Sequence, residues 1–256
     1  YGPGQPQERS DGLPPHMTVR RNHRDGFSIL ELMVAISLFL GLSVLVFAFF
    51  RYGTRAFFTA NQKHGMQTDA LRIIESLQME LKRSAKASVH LQGGTSRGMV
   101  VEGESVQRDV VSFATLKDFR DLGNSENYEP TTGAPLWNRY WVYYATKEEV
   151  GRMVRLKVDP DPAPEAPVPI PLSDLERLYY DNPSTNTFEG ETPPFVVLSK
   201  NVHNFRVEDR EGTFQIFLKL KEKHQKEAVE PGERRPFDYY EIDLSVRPEN
   251  SFPNDI

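Results

Sequence analysis

The alternation of hydrophobic and polar residues is broken by one long apolar run near the start of the chain. Residues 29–50 contain a single ionisable residue, Glu31, and no proline. Built as a helix, this run extends about 33 Å at ~1.5 Å per residue, which matches a hydrocarbon core about 30 Å thick. A single segment that crosses lipid must satisfy its own backbone hydrogen bonds, so it can only be helical. The run therefore predicts one transmembrane helix.

A helical period continues beyond this run without a break. Between residues 51 and about 88, apolar residues recur at steps of three and four and form one stripe, which consists of Ala70, Ile73, Ile74, Leu77, Leu81 and Ala85. Charged residues lie largely off the stripe, among them Asp69, Arg72, Glu75, Glu80 and Lys82. We expect this amphipathic helix to pack its stripe against its own domain.

Beyond residue 94 the period changes to two, which predicts strands. The expected strands cover residues 99–102, 110–115, 139–146, 152–158, 195–198, 201–208, 213–220 and 239–246. Residues 147–151 read as a hairpin loop, residues 159–171 as a proline-rich surface segment and residues 219–235 as a charged loop. Ser173 and Glu176 form a capping-box pattern that opens a short helix. A long helix followed by antiparallel strands predicts an α+β fold.

Composition and motifs favour a structural role over catalysis. The chain has no cysteine, which excludes disulfides and thiolate sites. Its net charge is −5, and the sequence has no basic stripe of the kind that binds nucleic acid. No pair of its six histidines has metal-ligand spacing on one element, and no Gly-x-Ser-x-Gly elbow occurs. We expect no cofactor, no metal site and no enzymatic activity. An aromatic run at residues 137–144 is interpreted mainly as core, with a carbohydrate or partner surface as the alternative.

Three features distinguish the apolar run from an ordinary membrane anchor. Glu31 lies a few residues inside it, and an acid at the bilayer centre costs about 2.5–3.5 kcal/mol; near a helix end the cost is smaller, yet a partner cation would remove it. The preceding residues, Arg24-Asp25-Gly26-Phe27-Ser28, place a small residue directly before the run, whereas a secretory signal is cut after its apolar region. The third feature is the amphipathic helix that follows without interruption.

The sequence Gly-Phe-Ser-Ile-Leu-Glu at the head of the apolar run resembles the signal of type IV pilins and of the pseudopilins of type II secretion. The resemblance implies cleavage by a prepilin peptidase after Gly26 and N-methylation of the new first residue, Phe27. It also implies that Glu31 faces the N-terminal amine of a neighbouring subunit in a filament. An α-amine is largely cationic at neutral pH, and opposite charges attract more strongly in a low-dielectric surrounding.

The order of elements after the long helix resembles the W-type minor pilins and the J-type minor pseudopilins, with residues 197–205 matching one of their strands. The expected organisation is a cytoplasmic leader at 1–26, a transmembrane helix at 27–50, an amphipathic helix at 51–90 and an antiparallel head at 91–256. The resemblance implies an inner-membrane protein with its N-terminus in the cytoplasm and its head in the periplasm, which later enters a filament.

The expected function is that of a minor pilin-like subunit that assembles into, or primes, a type IV pilus through its N-terminal helix. Its expected partners are other pilins or pseudopilins, the prepilin peptidase and the inner membrane, without nucleic acid. A minor pseudopilin of type II secretion is the alternative within the same class. An anchored adhesin or binding head is the alternative from another class, and an anchored enzyme ranks last because no nucleophile, base or metal site stands out.

Overall fold

The computed structural model describes residues 26–118, 125–160, 166–171, 195–223 and 237–249. The chain divides into two compact units, one up to Thr54 and one from Arg55 onward. One continuous helix of 54 residues, α1 (Ile29–Lys82), contributes to both. Within the described residues, it is the single helix that is long and apolar enough to span a membrane.

The helix ends earlier than its apolar period predicts. Its last residue is Lys82, and both the backbone amide and the hydroxyl of Ser84 bond to the carbonyl of Leu81, at 3.1 and 2.7 Å. The amide of Ala85 then bonds to the carbonyl of Ala114 in the sheet, at 3.4 Å. The expectation of a helix to about residue 88 or 90 is therefore wrong, because the sheet supplies the backbone hydrogen bonds at this point.

The second unit contains nine strands among its described residues. They are β1 (His90–Gln92), β2 (Gly98–Val101), β3 (Glu104–Gln107), β4 (Val110–Thr115), β5 (Arg139–Ala145), β6 (Gly151–Val158), β7 (Phe195–Arg210), β8 (Thr213–Lys223) and β9 (Phe237–Val246). Seven of them form one antiparallel sheet in the order β1-β4-β5-β6-β7-β8-β9, and β2 pairs with β3 in a separate hairpin. A long N-terminal apolar helix with an antiparallel sheet is an α+β arrangement, so the predicted fold class is confirmed.

Strand positions follow the period-two pattern closely, with three differences. The short strands β1 and β3 were not expected. The two strands expected between residues 195 and 208 are one strand, β7, of 16 residues, with an irregular register against β6 and β8. Strand β8 extends to Lys223, into the segment interpreted as a charged loop. The short helix expected after Ser173 lies outside the described residues.

Two hairpins turn through the same dipeptide, Glu-Gly. The β2–β3 loop is Glu102-Gly103 and the β7–β8 loop is Glu211-Gly212, and all four residues have positive φ. Positive φ at both central positions is the signature of a type I′ turn, whose twist suits the flanking strands. Glycine supplies the second position without steric cost.

The sheet is covered by apolar packing on both faces. On one face, the α1 residues Met66, Ala70, Ile73, Ile74, Leu77 and Leu81 pack with inward residues of β4 to β9. The other face holds a second cluster that includes Trp137, Tyr140, Tyr144 and Ile170. Ala85, which the sequence pattern places on the helix stripe, belongs to this second cluster because the helix has already ended.

Candidate functional site

The residues expected to carry processing lie directly before α1 and are open to solvent. The side chain of Phe27 is 87% exposed, and a Cβ added at Gly26 would meet no atom within 4 Å. Both residues precede the first helical residue, Ile29. The peptide bond between Gly26 and Phe27 is thus flanked by exposed residues and stands outside the helical hydrogen-bond ladder.

Glu31 and Ser28 form a reciprocal capping box at the start of α1. The amide of Ser28 donates to Glu31 Oε2 at 3.0 Å, and the amide of Glu31 donates to Ser28 Oγ at 3.2 Å. The carbonyl of Ser28 accepts the first helical bond, from Leu32. This arrangement satisfies two amides that a helix start otherwise leaves open. This role of Ser28 is not among the predictions from sequence, although the pattern Ser-x-x-Glu is present in the chain.

The apolar part of α1 presents its side chains outward all round. Every residue from Gly26 to Arg51 is exposed within its unit. The hydroxyls in this part are satisfied by the helix itself: Ser37 donates to the carbonyl of Met33 and Ser43 to that of Phe39, both at 2.8 Å. A helix that is apolar all round and satisfies its polar groups internally suits a lipid or helix-packed environment.

Two sides of this helix differ in the bulk of their side chains. One side carries a shallow apolar groove lined by Phe39, Leu42, Ser43, Val46, Phe47 and Phe50. At 3.6 residues per turn, the opposite side carries the small residues Ser37, Gly41 and Ala48. Small residues let two helix backbones approach closely in a membrane, so the side with small residues is suited to close packing.

In the second unit, a buried polar network joins α1 to the sheet. Tyr143 on β5 donates a hydrogen bond to Glu80 Oε2, and its hydroxyl lies 2.8 Å from Ser76 Oγ. Arg155 on β6 reaches both helix residues, with Nη1 2.9 Å from Ser76 Oγ and 3.2 Å from Glu80 Oε1. The guanidinium of Arg155 also stacks over the ring of Trp141 at 5.0 Å. Together these contacts align α1 against β5 and β6.

Glu80 is the charged residue that the periodicity misplaces. Its side chain is 3% exposed, although the pattern puts it off the apolar stripe. Burial raises its pKa to about 6, while the bond from Tyr143 and the charge of Arg155 oppose the rise. Burial, together with Glu80, raises the pKa of Tyr143 well above its ordinary value. The spacing of three residues from Leu77 was the one sequence signal for its position.

A second buried polar cluster lies where β4 begins. The side chain of Arg97 donates to the carbonyls of Arg108 and Ala145, at 2.7 and 2.8 Å, and Arg108 donates to the carbonyl of Val202. Asp109 Oδ2 accepts from the amide of Val207 at 2.9 Å. Burial raises the pKa of Asp109 to about 6, and burial with the charge of Arg97 nearby lowers that of Arg108 to about 10. No local sequence pattern predicts this cluster, because its members come from separate strands and loops.

Two glycines allow these charged groups to be buried so tightly. A Cβ at Gly151 would lie 2.6 Å from Arg108 Cζ, and a Cβ at Gly93 would lie 2.7 Å from Asp109 Cγ. Among the described residues, Arg108 Nε and Nη2 and Asp109 Oδ1 have no hydrogen-bond partner. The cluster therefore fixes the junction of β4, β5 and β7 by hydrogen bonds between these side chains and the backbone.

Histidines and acids come together at only a few places among the described residues, and none forms a group that would hold a metal ion. His203 Nε2 lies 2.8 Å from Glu104 Oε2, and His90 Nδ1 lies 2.9 Å from the carbonyl of Ile170. Burial lowers the pKa of His203, against the opposing effect of Glu104. These contacts tie the β2–β3 hairpin and the segment at 166–171 to the sheet.

The aromatic run at residues 137–144, most of which lies on β5, is mainly core. Trp137, Tyr140, Tyr143 and Tyr144 are buried, and Trp141 is partly exposed beneath Arg155. This outcome confirms the core interpretation for four of the five residues and leaves little aromatic surface for a carbohydrate.

Comparison of the chain with protein-family models, with curated proteins and with solved structures finds no match.

Proposed function

We propose that the chain is a minor pilin-like structural subunit, which assembles with related membrane proteins through the apolar half of α1. The observation that carries the proposal is one continuous helix, exposed and apolar at its start and packed on a sheet at its end. The apolar half must be covered by lipid or by other helices, because exposed apolar surface of this extent is unfavourable in water.

Three features of the helix start support assembly rather than simple anchoring. The sequence around Gly26 and Phe27 resembles a prepilin processing site, and these residues are accessible. The side with Ser37, Gly41 and Ala48 permits close approach of a second helix. Glu31 places a carboxylate at the end of the run where a neighbour's α-amine would be generated by cleavage.

The capping box changes how Glu31 would act in assembly. One carboxylate oxygen, Oε2, accepts from the amide of Ser28, which orients the side chain along the start of the helix. We infer that the other oxygen, Oε1, receives the α-amine of the neighbouring subunit's Phe27. The box would then pre-orient the acid, so that less side-chain freedom is lost when the pair forms. Both uses of Glu31 are compatible in the processed chain.

Three substitutions separate the capping role of Glu31 from its charge. Gln retains a capping box, since Glu and Gln both serve at this position, but it removes the charge. Glu31→Gln and Glu31→Ala should therefore both reduce assembly at least tenfold, whereas Ser28→Ala, which retains the charge, should retain most of it. All three variants should still enter the membrane.

The measurement is the amount of related membrane subunits that co-purify with the full chain extracted from membranes containing the prepilin peptidase. Intact mass of the same preparation should show a chain that begins at a methylated Phe27. If Glu31→Gln assembles at the wild-type level, the charge of Glu31 is not needed for assembly, and its role is limited to capping the helix. A chain that retains residues 1–26 would contradict the proposed function itself.

A further inference from the structure

The two edges of the seven-stranded sheet are built differently. The edge strand β1 has 3 residues, and its His90 side chain contacts the carbonyl of Ile170 at 2.9 Å. The opposite edge strand, β9, has 10 residues and pairs with β8 along its whole length. In the part of the chain that the structure describes, no strand pairs with the outer side of β9. A long regular edge of this kind is a template for another strand.

Three inward side chains in the middle of β9 are only partly covered, whereas Val246 at its end is buried. Tyr240, Ile242 and Leu244 pack against the main core but remain partly exposed, whereas the corresponding residues of β8, from Phe214 to Leu220, are buried. One further strand beside β9 would cover this apolar row, as β9 itself covers the row on β8. The partner segment therefore needs apolar residues at alternate positions.

The outward row of β9 runs Tyr239, Glu241, Asp243 and Ser245, and its two central residues are acidic. Glu241 and Asp243 are exposed, and their neighbours on β8 are cationic or neutral: Lys219 Nζ lies 3.0 Å from Glu241, and Gln215 Nε2 lies 3.3 Å from Asp243. Opposite charges directly across a strand pair are favourable and like charges are unfavourable. A segment added on the outer side of β9 therefore matches best when its outward residues are Lys or Arg.

The same charges disfavour a second copy of this chain as the occupant. If two β9 strands paired in antiparallel fashion about Ile242, Glu241 of each would lie opposite Asp243 of the other. A shift of the register by one residue would instead turn the acids toward the apolar face, because side chains alternate. Self-pairing centred on Ile242 is thus opposed by like charges, and self-pairing shifted from it by one residue is opposed because it places acids on the apolar face.

We propose that the outer edge of β9 binds an extended segment of a partner protein by strand addition, and that this segment alternates apolar residues with Lys or Arg. Backbone hydrogen bonds to β9 would supply affinity, and the alternating side chains would supply specificity. This surface does not depend on the proposed function of α1, since β9 belongs to the second unit.

The test uses the full chain in uncharged detergent micelles and a fluorescently labelled peptide with four Lys-Val repeats. We expect binding that raises the fluorescence anisotropy, with slower amide hydrogen exchange confined to β9. A peptide with Glu in place of Lys should bind at least tenfold more weakly. A Lys-Val peptide N-methylated at every residue should also bind at least tenfold more weakly, because it retains the charges but has no amide donors on either edge for pairing as a strand.

Charge reversal on the protein provides the complementary arm. The double variant Glu241→Lys, Asp243→Lys should no longer bind the peptide with Lys and should bind the peptide with Glu instead. The matched control is Glu75→Lys, Glu149→Lys, which changes the net charge equally at exposed acids on α1 and in the β5–β6 loop; it should behave as wild type. The proposal is overturned by absence of binding, by equal binding of the N-methylated peptide, by a control variant that loses binding as well, or by protection elsewhere than β9.

Discussion

At the scale of single residues, Glu80 shows how a charged group is accommodated on an apolar helix face. Leaving a buried carboxylate without partners costs several kcal/mol. Here Glu80 has two direct partners from two strands, Tyr143 and Arg155, and both of these also contact Ser76 on α1. A buried polar network of this kind stabilises the fold and fixes the position of the helix along the strands only when its polar groups have hydrogen-bond partners. It therefore sets the position of α1 along β5 and β6.

Tyr143→Phe tests this network directly. The substitution removes one hydrogen bond to a buried carboxylate, so we expect a loss of about 1–3 kcal/mol in the free energy of unfolding. The pKa of Glu80 should rise further, because the bond from Tyr143 lowers it. Chemical unfolding of the full chain in detergent measures the first, and the pH dependence of unfolding measures the second.

Tyr240→Phe is the matched control for this substitution. Tyr240 is partly buried on β9, and no hydrogen bond of its hydroxyl occurs among the described residues. Its loss should change the free energy of unfolding by less than about 0.5 kcal/mol. Equal effects of the two substitutions would mean that Glu80 does not depend on Tyr143.

At the scale of elements, α1 has one side that the core covers and one that it does not. Leu77 is fully buried against the sheet, whereas Leu71, six residues earlier on the same helix, is 40% exposed. Sequence periodicity identified the apolar residues of the buried side correctly from Ala70 to Leu81, although it placed Glu80 off this side. It failed at Ala85, because the end of the helix depends on a hydrogen bond to Ala114, a residue far away in the sequence.

Leu77→Ala and Leu71→Ala form a matched pair on this helix. Leu77→Ala creates a cavity in the main core and should lower the free energy of unfolding by about 2–5 kcal/mol. Leu71→Ala makes the same chemical change at an exposed position and should cost less than about 1 kcal/mol, since Ala also favours helix. Denaturant unfolding monitored by circular dichroism compares them; similar losses would contradict the packing of this helix face.

At the scale of the whole molecule, the buried acids predict an unusual pH dependence of stability. Burial raises the pKa values of the Glu80 and Asp109 carboxyls to about 6, from ordinary values of 4.5 and 3.8. Between about pH 4 and pH 6, these two acids bind more protons in the folded chain than in the unfolded chain. The contribution of Glu80 and Asp109 to the free energy of unfolding therefore increases as the pH falls from about 6 toward 4. This stabilising contribution is lost as the pH rises through about 6.

Replacing one of these acids should remove part of this dependence. In the wild type, the free energy of unfolding should increase when the pH is lowered from 7 to 4.5. In Glu80→Gln this increase should be smaller by about 2 kcal/mol, since one pKa unit corresponds to about 1.4 kcal/mol. Thermal or chemical unfolding of the full chain at several pH values provides the comparison. His203, whose pKa burial lowers, acts in the opposite direction but equally in both proteins. Parallel curves for the two proteins would show that Glu80 is not buried as a titrating group.

The amino-acid sequence by itself determined the transmembrane-length helix, the α+β class and most strand positions. Each of these follows from residues that are close together in the chain. The signal is either the length of an apolar run or the recurrence of apolar residues, at every second position in strands and at steps of three and four in the helix. The capping box of Ser28 and Glu31 belongs to the same category, because both partners lie within one helical turn.

Only the tertiary structure decided which polar residues are buried and which strand lies at the edge of the sheet that the described residues form. Glu80 meets Tyr143 and Arg155, and Arg108 meets Val202, across separations in sequence that no local pattern encodes. The strand order likewise places β9 at the edge and β4 beside β5. Burial and edge position are properties of what lies beside a residue in space, and for these residues the neighbours come from distant parts of the chain.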